Sequence, residues 1–116
     1  MLRVALFTWC IPLEADIKLL EKINQRQRQM VLHSVLYYRY DVSLITDFTF
    51  DKWARELVKL QADYPDITKK SVFYNEFITW DGTTGFDLAD NQWGISKALQ
   101  MIRWQEHLDN KINDEE

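Results

Sequence analysis

Cysteine, glycine and proline are nearly missing from this 116-residue chain, which has one Cys, three Gly and two Pro. The lone thiol, Cys10, excludes an intrachain disulfide and fits a reducing, cytoplasmic setting. With so little glycine there is no Gly-rich phosphate loop after a strand, and no serine stands in a nucleophile elbow. Long apolar runs are also lacking. "VALFTWCIPL" holds only ten residues, against about 20 for a membrane-spanning helix. Arg3 before this run gives it a faint signal-peptide look, but "EADI" after it is not a small-residue cleavage site. It is expected to pack on the core, with Cys10 buried. A basic stripe is missing too: net charge is −4, and Arg26, Arg28 and Arg39 are diluted by Gln and Tyr. That balance argues against a duplex DNA partner. The tail Asp114-Glu115-Glu116 reads as a solvating end. His33 and His107 have no Cys or carboxylate at metal-ligand spacing, so no metal is expected, and His33 reads as a hydrogen-bonded core residue.

What is abundant is aromatic surface and helix former. Five Trp and six Phe sit in a chain that is 47% hydrophobic and 28% charged, an ordinary globular balance. The length suits one domain, 1–116, burying roughly two-thirds of its unfolded surface. Residues 14–40 contain no Gly or Pro and are rich in Leu, Glu, Lys, Gln and Arg, so they are expected to be helical. Ile17, Leu20, Ile23, Met30, Val31, Val35 and Tyr38 keep an approximate helical spacing. The polar middle "NQRQRQ" is either a solvent face or a joint between two helices.

A second helix is plainer. Phe50, Trp53, Ala54, Leu57, Val58 and Gln61 fall on one face, and Pro65 ends the run. Asp47 is its expected N-cap and Asp51 the acid of its first turn. "SVFYNEFITW" fits a short helix or strand, and "DGTTG" a tight turn. A last helix is expected over 91–112, capped by Asp90 or Asn91, with Trp93, Met101 and Trp104 adding packing surface. The fold class is mainly α.

Between the first two helices lies "YYRYDVSLITDFTFD", residues 37–51, where aspartates crowd beside aromatic rings. Such a corner is either a helix–turn–helix junction capped by acids or a pocket that needs acids beside aromatic faces. The wider stretch 33–67 carries Tyr37, Asp41, Ile45, Asp47, Phe50, Asp51, Glu56, Leu57, Leu60 and Pro65 at uniform spacing. In that pattern it resembles the N-terminal Ia subdomain of NAD-dependent bacterial DNA ligases. The resemblance implies a ligase Ia-like core over about 14–67, with a C-terminal extension over about 68–116. It also implies a grip on the nicotinamide mononucleotide half of NAD, made by a Tyr–His pair, two Asp and a Tyr.

Carried over by position, Tyr37 takes the Tyr, Asp47 and Asp51 take the acids, Tyr38 replaces the His, and Phe50 replaces the second Tyr. A ring can stack on the cationic nicotinamide, and acids can accept ribose hydroxyls. Losing the imidazole and a phenol removes two directed hydrogen-bonding groups, so NAD or nicotinamide mononucleotide is expected to bind weakly if at all. The family's adenylated lysine is absent: in "TWDG" Thr79 stands at its place. This chain is therefore not a self-contained ligase, and no small-enzyme site stands out. The leading expectation is a non-catalytic protein-interaction module on the Ia-like scaffold, with a protein partner or self-association. A free-standing piece of this kind looks like a phage or mobile-element product. The alternative is a nicotinamide mononucleotide or NAD-binding domain. Tyr37 separates the two: exposed in a groove beside both acids it favours a nucleotide, buried against Trp53 it favours the module.

Overall fold

The computed structural model describes residues 14–115, so the apolar run around Cys10 lies outside the described residues. Among the described residues there are five α-helices, one 3-10 turn and no strand. None of these helices is long and apolar enough to cross a membrane.

Helix α1, Glu14–Tyr40, is continuous for 27 residues, so "NQRQRQ" is not a joint. Its inward stripe is Ile23, Gln27, Met30, Val31, Ser34 and Val35, all buried, whereas Ile17 and Tyr38 lie exposed at its two ends. The polar middle stays helical because Gln27 turns inward and finds partners. Its Nε2 donates to Gln61 Oε1 at 2.8 Å and to Ser71 Oγ at 2.9 Å, while its Oε1 accepts the Phe73 N–H at 3.0 Å. Ser71 passes the chain of bonds on, donating to the Thr68 carbonyl at 2.6 Å. A buried amide satisfied at both ends is stable where a lone one would not be.

Helix α1 stops at Asp41, whose φ of +55° is left-handed. Short polar side chains tolerate that region, which most residues avoid. The Val42 N–H then returns to the Leu36 carbonyl at 2.9 Å. Helix α2, Asp47–Asp63, begins at the residue expected to cap it. Thr46 is the N-cap: its backbone is extended and its hydroxyl accepts the Thr49 N–H at 3.1 Å. Asp47 is thus the first helical residue rather than the cap, and Asp51 falls in the second turn rather than the first. Both carboxylates are left free of capping work. Ala54 and Leu57 bury the inner face of α2 and Trp53 is half-buried, as the spacing predicts. Tyr64 closes α2, and Pro65 opens the short helix α3, Pro65–Thr68.

The rest of the chain folds back on α1. Helix α4, Tyr74–Phe77, leads into the turn at 81–85 and a 3-10 turn at Phe86–Leu88. Helix α5, Gln92–Glu115, is capped by Asn91, whose Oδ1 accepts the Gly94 N–H at 2.8 Å. Gly94 sits where α5 meets α1: an added Cβ would lie 2.6 Å from Val31 and 2.9 Å from Val35. The buried face of α5 runs Asn91, Gly94, Ala98, with Ile95 and Ile102 half-covered. Trp104, expected to pack, is instead 62% exposed. It lies past Ile102, where the helix has run beyond its packed face.

The cap assignment gives the first prediction. Thr46→Ala is expected to lower stability by about 0.5–2 kcal/mol through the lost cap. Asp47→Ala is expected to cost less, about 0.3–1 kcal/mol from the helix dipole alone. Urea denaturation of both variants checks the order, and a larger loss for Asp47→Ala would return the cap to Asp47.

Candidate functional site

The corner between α1 and α2 encloses a cavity of about 300 Å³. Tyr37, Tyr38, Asp47, Phe50 and Asp51 all line it, so the five residues singled out in the sequence come together in space. Helix geometry explains half of this. His33, Ser34, Tyr37 and Tyr38 are spaced i, i+1, i+4 and i+5, which places them on one side of α1 near its C-terminal end. The other half comes from α2, where Asp47, Phe50 and Asp51 are spaced i, i+3, i+4.

The rings are arranged edge to face. Tyr37 and Tyr38 meet at 4.9 Å and 83°, and Tyr38 meets Phe86 at 5.4 Å and 86°. Tyr37 remains 52% exposed, its ring open to the cavity rather than buried against Trp53. Trp53 is otherwise engaged, with His33 at 5.8 Å and the Arg26 guanidinium 4.8 Å above its ring. His33 is therefore not the hydrogen-bonded core residue expected from sequence; it is half-buried against Trp53 and borders the cavity.

A third wall was not foreseen. The turn read only as a tight turn brings Thr83, Thr84 and Gly85 over the corner. Asp81 holds it, accepting the Thr83 N–H at 3.0 Å and the Thr83 hydroxyl at 2.7 Å, which keeps the Asp81 carboxyl below its ordinary pKa. The Trp80 indole N–H donates to the Thr84 carbonyl at 2.7 Å, and the Tyr38 and Thr84 hydroxyls bond at 2.9 Å. Gly85 rests directly on Ser34, where an added Cβ would collide with the serine hydroxyl and crowd Phe50 at 3.1 Å. Ser34 is buried, and its Oγ has no hydrogen-bond partner among the described residues. The His33–Tyr37 spacing was legible as one helix face, but nothing local linked Thr84 to Tyr38, 46 residues away.

Charge in the wall is one-sided. Asp47 and Asp51 line it, and among the described residues no Lys or Arg does. Burial lowers the His33 pKa from its ordinary value of 6.5, which favours the neutral ring. Among the described residues no three His, Cys, Asp or Glu side chains are grouped as a metal site. Acidic acceptors beside open aromatic faces suit a ligand that is cationic or hydroxyl-rich and carries a flat ring.

A small helical domain with an acidic, aromatic corner pocket is the class these features define. Comparison with known proteins agrees. Residues 16–71, just under half of the chain, match the family model described as "DNA ligase-like, N-terminal NAD+-binding domain". That match takes in the resemblance seen over 33–67 and extends it through α1 to residue 16. The DNA ligase of Methylococcus capsulatus is 36% identical over 50 residues, which cover 43% of this chain and only 7% of that ligase. No solved structure matches. Thr83, Thr84 and Gly85 lie beyond the family match.

A pH dependence follows from His33. Its folded pKa is depressed, so the unfolded chain takes up the proton first as pH falls. Stability is then fully present above about 6.5 and declines as pH drops through the folded value. Urea midpoints are expected to fall between pH 7.5 and 5.5 in the native sequence and to fall less in His33→Gln. Equal slopes for the two proteins would contradict the buried-imidazole account.

Proposed function

We propose that the corner pocket binds a nicotinamide nucleotide and carries out no chemistry of its own. The observation that carries this reading is Tyr37: its open ring faces the same cavity as Asp47 and Asp51. In this reading Tyr37 stacks on the nicotinamide, whose positive ring is drawn to a π face. Asp47 and Asp51 accept ribose hydroxyls, charge-assisted bonds stronger than neutral ones. Tyr38 and Phe50 form the side walls, in places where the ligase pattern has a His and a Tyr. The cavity, about 300 Å³, is at the small end for ligand sites and suits half of a dinucleotide. The family description supports the ligand class. The domain reading that goes with it is one unit, in which the extension from residue 68 onward supplies a wall to the Ia-like core.

Structural economy favours the site over the corner junction. An acid is explained by helix capping when it caps, and Thr46 already does that work. Neither Asp47 nor Asp51 has an ion-pair partner among the described residues. Two unpaired carboxylates at one aromatic pocket serve a ligand better than they serve the helix.

The protein-interaction module is the second reading, favoured by the apolar rim. Leu44, which lines the cavity, and Phe86, whose ring meets that of Tyr38, are 56% and 65% exposed. Scattered exposed apolar residues are ordinary, whereas apolar side chains beside a cavity fit a partner segment.

Calorimetric titration with nicotinamide mononucleotide separates the two. The native chain is expected to bind weakly, in the millimolar range, and Tyr37→Ala to lose binding. Tyr38→His with Phe50→Tyr restores two polar groups and is expected to tighten binding by about 1–3 kcal/mol. Silence from the native chain and the double variant alike would overturn the nucleotide reading and leave the module.

A further inference from the structure

The charges around the pocket say which part of a nicotinamide nucleotide it selects. A nucleotide has two electrostatic ends: a pyridinium ring that is cationic and a phosphate that is anionic. Among the described residues the lining carries two carboxylates, Asp47 and Asp51, and no Lys or Arg to meet a phosphate. Of the arginines elsewhere on α1, Arg28 is exposed and does not line the pocket, and Arg39 and Arg26 are committed to other partners. Arg39 pairs with Asp90 at 2.5 Å and donates to the Ala89 carbonyl at 2.6 Å. Arg26 pairs with Glu56 at 3.3 Å and lies over Trp53. The one other titratable cation former in the wall, His33, is disfavoured in its charged form by burial.

The neutral polar groups point the same way. Thr83 and Thr84 bring hydroxyls to the wall, and Ser34, 1% exposed, holds an Oγ with no partner among the described residues. Gly85 covers that hydroxyl, so the ones a ligand reaches are those of the exposed Thr83 and Thr84. Hydroxyls and carboxylates together recognise sugar edges and amides. They give a phosphate dianion no compensating charge, and like charges placed together disfavour binding.

We infer that the pocket selects the unphosphorylated cation, a pyridinium ribonucleoside such as nicotinamide riboside, over the corresponding mononucleotide. The inference rests on the nicotinamide reading of the site and adds the direction of selectivity. The ring enters between Tyr37 and the acids, the ribose meets Asp47 and Asp51, and the 5′ end faces solvent.

The test is calorimetric titration of the full chain with nicotinamide riboside and, separately, nicotinamide mononucleotide, at low and high salt. The riboside is expected to bind about tenfold tighter at low ionic strength. That gap is expected to shrink at about 0.5 M salt, because screening weakens the repulsion of the phosphate. Asp47→Asn with Asp51→Asn is expected to weaken the riboside and narrow the gap further, with circular dichroism verifying that the helices remain. A mononucleotide that binds as tightly as the riboside, or tighter, overturns the selectivity while leaving the nicotinamide site standing. Binding of neither ligand at millimolar concentration overturns the selectivity and the site together.

Discussion

The buried amide of Gln27 is the constraint on which the arrangement depends. One side chain in the middle of α1 bonds to α2 through Gln61 and to the returning chain through Ser71 and Phe73. Leaving any of these buried groups unpaired costs about 1–3 kcal/mol, so the three attachments hold or fail together. By tying residues 71–73 to α1, Gln27 fixes where the extension starts its path back. Asn91 then ties the far end, capping α5 and donating to Glu76 at 2.5 Å. Between these two anchors the chain has little choice but to lay the 81–85 turn across the corner of α1 and α2.

That path turns a hairpin into a pocket. Two helices meeting at an angle leave an open notch, lined by rings from α1 and acids from α2. The turn closes the notch because Gly85 has no Cβ to strike Ser34, and because Tyr38 and Thr84 share a hydrogen bond. The wall therefore combines residues of the Ia-like stretch with residues beyond residue 71, where the family match ends. The consequence is chemical: the Thr83 and Thr84 hydroxyls join the wall, and its described side chains carry two acids and no Lys or Arg.

The sequence carried the helices well because their signals are local. A run without Gly or Pro, a 3.6-residue stripe and a proline stop mark α1 and α2 to within a residue or two. The five corner residues were legible because a short motif fixes their spacing, and helix geometry turns spacing into a shared face. Capping was misread by one residue, since Thr46 and Asp47 are both good caps and only the backbone decides between them. Trp104 was misplaced because an aromatic residue at helical spacing does not reveal where its neighbouring helix ends. The third wall was out of reach: Thr84 meets Tyr38 through long-range packing that no local pattern encodes.

The central claim is that this corner is a ligand site rather than a capped junction. Amide chemical-shift mapping by NMR, with nicotinamide riboside added stepwise, tests it most directly. The account predicts shifts that saturate and cluster in two separate stretches, around 33–51 and 83–85, which only the folded pocket brings together. Shifts that are absent, or that gather on the exposed end of α5 around Trp104, would contradict it.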